Sequence, residues 1–327
     1  MFFLFSILSA SRLQILNEER SFLSWMRSNS QFYIGDEYHF RLGIFIANQR
    51  YVNEYNRKAN LKFRLGMNKL SCYTPSEYRT LLGHIDKPHP ANAQVVKSNK
   101  DPLTLPDSVN WIEKGAVNEI RDQGQCGSCW AFAAIAACES VYQIESGNLL
   151  QFSEQNLVDC VPDSAGCNGG NGFTAFVYIR DKQDHKFALR DDYPYTATTE
   201  TCKWESVASK GAGYIKSYIF VIPHSEVDLK IKVADWGVVD SAIDASASAF
   251  QLYSGGIYTD TACSSYFRNH EVGVVGYGTE DGTEYWLVRN SWGTSWGEAG
   301  YFRILRGTFT NLCGIASDAY IPYTRLI

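Results

Sequence analysis

Hydrophobic positions follow two different periods along this chain. Up to about residue 82 they recur at helical spacing, and beyond residue 210 β-branched and aromatic residues alternate with polar residues and glycine. The region Leu13 to Leu82 reads as helical. Glu18 to Arg27 carries an apolar stripe at Phe22, Leu23 and Met26. A second helix is predicted over Asp36 to Asn56, where Glu37, Arg41, Phe45, Asn48, Val52 and Asn56 fall at spacings of three and four and so share one side. Trp130 to Ala137 is an unbroken apolar run rich in alanine, a strong helix former. Such a run, apolar all round, marks a buried helix, and Gly147 suits its C-terminal cap. Ser153 is placed to cap a short helix through Cys160, and Phe173 to Ile179 reads as another. The segments 213–219, 273–277, 284–288 and 300–305 read as strands. The pattern predicts an α+β fold with a helical half before a β-rich half. Between the first helices and this body, Gly83 to Pro106 is rich in His, Pro, Asn, Ser and Lys, the chemistry of an exposed, easily cut linker.

Composition narrows the classes. A chain of 327 residues allows two domains, or one domain with an accessory segment, and 45% hydrophobic content supplies a sizeable core. The net charge of −5 and the absence of a basic tract argue against a nucleic-acid partner. The apolar start, Met1 to Ala10, resembles the core of a secretory leader, so residues 1–14 are expected to be a signal or leader. That run is too short to span a bilayer, and no later segment is long and apolar enough. No Asn-x-Ser/Thr sequon occurs. Of the nine cysteines only Cys72 precedes residue 120, a usage that fits an oxidising, secretory route. The odd count leaves at least one thiol free.

The candidate chemistry centres on Gln123-Gly-Gln-Cys126-Gly127-Ser-Cys129-Trp130. Cys129 stands at the first turn of the buried helix, where the macrodipole and the free N–H groups favour thiolate, the reactive form of cysteine. Cys126-x-x-Cys129 is also the spacing of a redox pair or of half a zinc site. No βαβ pattern precedes it, and Cys160 and Cys167 are poorly spaced as a second ligand pair. Far downstream lie Asn269-His270-Glu271-Val272 and Asn290-Ser291-Trp292-Gly293. A cysteine nucleophile needs a proton donor for its leaving group and a group to orient that donor, and His270 and Asn290 are of the right kind.

Taken together, these three segments resemble the active-site signatures of papain-like cysteine proteases, the family that includes the cathepsins, over nearly the whole chain. The resemblance implies a two-lobe fold, one lobe helical and one β-barrel-like, with the active site in the cleft between them. It implies Cys129 as nucleophile, His270 as its acid–base partner, Asn290 orienting His270 under Trp292, and Gln123 with the Cys129 N–H as oxyanion donors. Substrate would lie along Gly127, Gly169 and Gly170. The pocket for the residue two before the scissile bond (P2) would be lined by Gly172, Ala242 and Glu271, with Asp318 at its floor. That acidic lining implies acceptance of arginine beside hydrophobic residues. The same resemblance pairs Cys126 with Cys167, Cys160 with Cys202, and Cys263 with Cys313. Cys138 then remains as a small buried hydrophobe.

The face Glu37 to Asn56 resembles the interspersed motif of cathepsin L-like pro-segments, with Val52 for the usual Ile. Leu65 to Cys72 resembles a second pro-segment motif, with Leu70 for Phe and Cys72 for Asp. Loss of that acid would shift any acid trigger onto other carboxylates. Residues 15–104 are then an inhibitory pro-segment with linker, and 105–327 the peptidase domain, with cleavage expected between about Ser98 and Leu105. Two further departures from the family are Asp240 for Ser, and the stretch 220–235. No insertion resembling the occluding loop of cathepsin B lies between Cys160 and Cys202, which implies endopeptidase action. The expected partners are protein or peptide substrates, the chain's own pro-segment and cystatin-like inhibitors. The chain is expected to act as a monomer, without cofactor or metal, after secretion or in a lysosome- or endosome-like acidic compartment. The rival reading is a catalytically silent homologue that binds or stores; intact Gln123, Cys129, His270 and Asn290 argue against it.

Overall fold

Two helices open the chain, α1 (Phe2–Ser28) and α2 (Gly35–Asn56). The structure, a computed structural model, describes residues 2–88, 102–307 and 311–324, and of residues 2–13 and 103 only the backbone. The run expected as a leader lies within α1, and residues 98–101 of the expected cleavage window lie outside the described residues. Phe22, Trp25 and Met26 of α1 meet Phe45 of α2 and Cys72 in a small aromatic core. The predicted face of α2 serves the irregular stretch 65–72. Arg41 Nη1 donates to the Cys72 carbonyl (2.7 Å), Asn48 Nδ2 to that of Ser71 (2.8 Å) and Asn56 Nδ2 to that of Leu65 (2.8 Å). A backbone that lacks regular partners must be satisfied by side chains, which accounts for polar residues interleaved with buried Phe45 and Val52.

The expectation of helix through residue 82 fails at Phe63–Leu65, which forms strand β1. Phe63 and Leu65 are buried while Arg64 is exposed, a period of two that only a strand can present. Helix α3 (Pro75–Thr80) follows, started by a capping box between Thr74 and Glu77 with proline in its first turn. The N-terminal segment docks onto the β half through β1, the Tyr78 hydroxyl on the Ala245 carbonyl (2.6 Å), and Asn68 Nδ2 on the Gln251 carbonyl (2.9 Å).

After the short strand β2 (Val109–Asn110) comes the central helix α4 (Cys129–Ser146). Every residue from Cys129 to Val141 is buried, and the helix ends at Gly147 in the left-handed region (φ 76°). Helices α5 (Glu154–Cys160), capped by Ser153, and α6 (Gly172–Lys182) pack on α4 around Trp130, Phe152 and Phe176. A single turn, α7 (Trp204–Val207), closes this half.

The rest is built on β3 (Ser217–Phe220), β4 (Val239–Ile243), β5 (Tyr253–Tyr258), β6 (His270–Glu280), β7 (Thr283–Arg289), β8 (Tyr301–Leu305) and β9 (Ala319–Tyr323). The strand expected to begin at Gly213 begins at Ser217. The strand order is β1-β5-β8-β7-β6-β4-β9-β3, with β2 added on β6. All the pairs are antiparallel except β5 with β8. Phe250, Trp286, Trp292, Trp296 and Phe302 fill its core. The stretch 220–235 contains helix α8 (Glu226–Asp235), capped by Ser225, and a further turn, α9 (Ser248–Gln251), precedes β5. Disulfides join Cys126 to Cys167, Cys160 to Cys202 and Cys263 to Cys313. Cys72, Cys129 and Cys138 are free and buried.

The acid missing at position 72 has a counterpart nearby. Burial pushes the Cys72 thiol up to about 12, so it stays neutral. Arg41 instead pairs with Glu77 (2.5 Å) and Glu37 (2.6 Å). Hydrogen bonds from Arg41 hold the Glu77 carboxyl down to about 2, against an ordinary 4.5. A carboxyl depressed on folding contributes stability above 4.5 that is lost as pH falls toward 2. Thermal melts of the full-length Cys129→Ala protein are therefore expected to drop steeply between those values. Glu77→Gln should lower the melting temperature at pH 6 and flatten the drop; an unchanged slope would place the acid sensitivity elsewhere.

Candidate active site

Cys129 begins α4 at the seam between the helical half and the sheet, with its side chain buried. The chain reaches it along an isolated bridge, Asp122 with Trp292, which aligns the Gln123 loop with the Asn290 loop. Gln123 N donates to the Ser291 carbonyl (2.8 Å), and Ser291 Oγ donates to Gln123 Oε1 (2.6 Å). That contact turns Gln123 Nε2 toward the cleft. Tyr195, which the sequence did not single out, supports the same loop: its hydroxyl donates to the Gln123 carbonyl (2.7 Å) and meets Ser128 Oγ (2.6 Å). Upstream, buried Arg121 bridges Glu139 (2.9 Å) and Glu154 (2.5 Å).

His270 is the first residue of β6, and its Nε2 lies 2.8 Å from Asn290 Oδ1. The Asn290 oxygen can only accept, so Nε2 carries the proton and Nδ1 is left as the base. The Trp292 ring lies over that pair, 4.7 Å from the His270 ring centre. Burial pushes the Cys129 thiol up to about 12, with the Glu271 charge adding to the effect. Burial also lowers His270 to about 4, against the pull of Asn290. Both groups are therefore held neutral in this closed state, because burial disfavours both charges.

The water is excluded by the chain itself. Gly83 N donates to Cys129 Sγ (3.3 Å), and the Leu81 carbonyl accepts from Gln123 Nε2 (2.9 Å). Gly170 N donates to the Gly83 carbonyl (2.8 Å), Ile85 N to the Gly170 carbonyl (2.8 Å), and His84 N to the Asn269 carbonyl (3.0 Å). The N-terminal segment thus runs through the cleft by main-chain contacts along Gly170, with Gly127 and Gly169 close on either side. A Cβ on Gly83 would stand 1.8 Å from the Gly127 carbonyl, and one on Gly169 would stand 2.8 Å from the Gly83 carbonyl.

The side chain of His84 fills a pocket between the two halves. Its Nδ1 is 2.6 Å from Glu271 Oε1, and its Nε2 is 3.0 Å from Asp86 and 3.6 Å from Asp318. Burial alone would lower its pKa, but hydrogen bonds with Asp86 and Glu271 outweigh this and raise it to about 9. The predicted pocket residues are brought together here. Glu271 accepts from Gly172 N (3.0 Å), Ala242 pairs with Glu271 across β4 and β6, and Ala242 N donates to the Asp318 carbonyl (2.9 Å). Glu271 and Asp318 are buried, not turned to solvent. The sequence reading missed two members. Asp240, noted only as a departure, lies fully buried with a carboxylate oxygen 1.8 Å from where a Gly172 Cβ would be. Burial and the Glu271 charge push its pKa well up. An acid inside an otherwise apolar strand was the available signal. His84 fell in a stretch that reads as linker.

Replacing Gly83 by alanine should unseat this segment, because the new Cβ would clash with the Gly127 backbone, which cannot swing aside as a side chain can. We expect Cys129 of the Gly83→Ala full-length protein to be alkylated at neutral pH at least tenfold faster than in the parent, as read by peptide mass mapping. Equal rates would mean that the cleft is not gated at Gly83.

Comparison with known proteins gives this geometry its context. Residues 105–323 match the papain family cysteine protease domain, and residues 22–78 match the cathepsin propeptide inhibitor domain. The chain is 40% identical over 309 residues to cysteine proteinase 2 of Entamoeba histolytica, covering 92% of this chain and 93% of that one. It is 38% identical over 296 residues to digestive cysteine proteinase 1 of Homarus americanus, covering 88% and 89%. The digestive procathepsin L2 proteinase of the Tenebrio molitor larval midgut superposes with a TM-score of 0.86 at 34% identity, covering 94% of this chain and 99% of that one. The chain belongs to the papain family of cysteine proteases, and it carries the inhibitory propeptide in its own N-terminal cleft-filling segment.

Proposed function

We propose that residues 105–327 are a thiol endopeptidase, released from an inhibitory segment spanning residues 15–104 that follows a leader at 1–14. The observation that carries this reading is the engagement of Gln123 Nε2 by the Leu81 carbonyl (2.9 Å), beside a helix-terminal cysteine. A peptide carbonyl of the segment thus already accepts from the amide that, in this reading, would receive the oxyanion. When the segment leaves, water returns, the burial that keeps Cys129 and His270 neutral is relieved, and the helix N-terminus favours thiolate. Cys129 gives its thiol proton to His270 Nδ1 and attacks the scissile carbonyl as thiolate, and Gln123 Nε2 with the Cys129 N–H receives the oxyanion. His270 protonates the leaving amine, then activates water against the thioester. Asn290 holds the imidazole, and Trp292 keeps water from that hydrogen bond, which is stronger for it.

The P2 pocket of this reading is lined by Gly172, Ala242, Glu271 and Asp318, with Asp240 behind. The lodging of His84 among carboxylates supports acceptance of a cationic residue, arginine, alongside hydrophobic ones. The substrates are proteins and peptides, the enzyme acts as a monomer open to cystatin-like inhibitors, and it works after secretion or in an acidic, lysosome-like compartment.

Two fluorogenic dipeptide amides, with leucine or arginine at P2, test the reading after acid activation with reductant. Cys129→Ala should abolish turnover, and Gln123→Ala should lower kcat by about 10²–10³-fold, some 3–4 kcal/mol of transition-state stabilisation. Arginine should be accepted, and Asp318→Ala should reduce its kcat/KM more than that of leucine. Hydrolysis of leucine alone would keep the protease and remove the acidic-pocket argument. No hydrolysis after confirmed removal of the segment would favour a silent homologue. N-terminal sequencing of the active form should place its start between Ser98 and Leu105.

A further inference from the structure

We propose that His84, Asp86 and Asp318 form a divalent-metal site of the zinc class that latches the inhibitory segment to the enzyme. The inference rests on the geometry of the closed chain and not on which peptide bonds the enzyme cuts. One ligand atom from each of the three residues lies within 4.8 Å of the others. Tetrahedral zinc holds imidazole nitrogen and carboxylate oxygen at about 2.0–2.2 Å, which places neighbouring ligands about 3.3–3.5 Å apart. The separations from His84 Nε2, 3.0 Å to Asp86 and 3.6 Å to Asp318, bracket that value.

The surroundings are those of a metal-bound histidine. A ligating imidazole almost always donates its other N–H to a carboxylate, which fixes the ring and raises its basicity. Glu271 Oε1 stands at that position, 2.6 Å from His84 Nδ1, and both side chains are fully buried. Glu271 is itself held by Gly172 N (3.0 Å). Arg268 steadies Asp86 from the solvent side (2.6 Å).

Behind Glu271 both carboxyl oxygens of Asp240 are fully buried, and burial with the neighbouring Glu271 charge pushes that carboxyl's pKa well up, so it stays neutral. One of those oxygens and Glu271 Oε2 lie 1.8 and 2.8 Å from the point where a Gly172 Cβ would stand, so Asp240 backs the pocket directly behind Glu271. The carboxyl groups of Asp86, Glu271 and Asp318 converge on His84, with Arg268 on Asp86. The imidazole of His84 balances this buried charge in the closed chain, and a metal ion held at its Nε2 would take over that role. Three protein ligands leave a fourth position for water, and the mixed imidazole–carboxylate set suits zinc better than magnesium or calcium.

Two ligands belong to the inhibitory segment and one to the enzyme, so the site exists only while the segment is seated. Metal at a hundred times its dissociation constant would reduce the open fraction of the proenzyme about 100-fold. Cutting and losing the segment would remove two ligands and release the ion.

The test uses the full-length Cys129→Ala protein, which cannot process itself and lacks the active-site thiol as a rival ligand. Zinc chloride is titrated by calorimetry, and bound metal is counted after dialysis. One zinc per chain is expected, with at least tenfold weaker binding when Asp86→Asn or His84→Ala is added. Asp86→Asn changes a half-exposed side chain, and so serves if His84→Ala fails to fold. Cobalt in the same site should show visible d–d bands without a thiolate charge-transfer band. In the otherwise wild-type proenzyme, zinc should lengthen the lag before acid processing, and Asp86→Asn should abolish that effect. The proposal is overturned by absence of binding, which would leave a protonated His84 to balance the pocket's carboxylates. Equal binding by the variants, a thiolate band, or a lag that zinc lengthens equally with and without Asp86 would overturn it too.

Discussion

The position of the first turn of α4 governs everything else in the cleft. Its first thirteen residues are buried without a break, so the helix can neither slide nor rotate between the helical half and the sheet. Protein interiors are close-packed and transmit displacement instead of absorbing it. The end of α4 therefore holds Cys129 at a fixed point on the seam, and the disulfide from Cys126 to Cys167 ties the approach loop to the opposite wall. His270, at the start of β6, comes to the same seam because β6 packs directly on α4. Asn290 follows because β7 lies beside β6 and ends just before it.

The inhibitory segment acts on this machinery by desolvation as much as by obstruction. Its main chain passes through Gly83, whose missing side chain lets two backbones touch. The same contact removes the water that would stabilise a thiolate and an imidazolium. The thiol rises to about 12 and the imidazole falls to about 4, so the closed chain holds its reactive groups in neutral form. Hydrogen bonding along Gly170 and at Gln123 is made to backbone, which needs no particular side chain. Within the cleft, side-chain specificity enters at the pocket that holds His84.

That pocket concentrates negative charge. Glu271 pairs with Ala242 across the sheet, Asp240 sits two residues before Ala242 on the same strand and face, and Asp318 immediately precedes β9. None of these acids is near another in sequence. Strand pairing of β4 with both β6 and β9 is what gathers them. Burial makes their charges expensive, and the imidazole of His84 is the compensation the closed chain provides.

The sequence by itself determined the elements that depend on local chemistry. The helix over residues 36–56, the caps at Ser153 and Gly147, the buried helix after Cys129 and the order of the Cys, His and Asn segments were all legible, because period, capping and spacing are properties of neighbours in the chain. Strand β1 was not, since three residues carry too little periodicity and owe their form to a partner nearly two hundred residues away. The loss of acid at position 72 was visible, but the substitute pairing of Arg41 with Glu77 depends on how α2 lies against α3. The state of Cys129 in the closed chain was not legible, for the same kind of reason. A helix N-terminus favours thiolate wherever it occurs, but whether water reaches it is a property of the segment folded on top. Tertiary structure alone decided that a histidine in an apparent linker would enter a pocket of three acids. Burial and charge balance are settled by residues distant in the chain, and no local pattern records them.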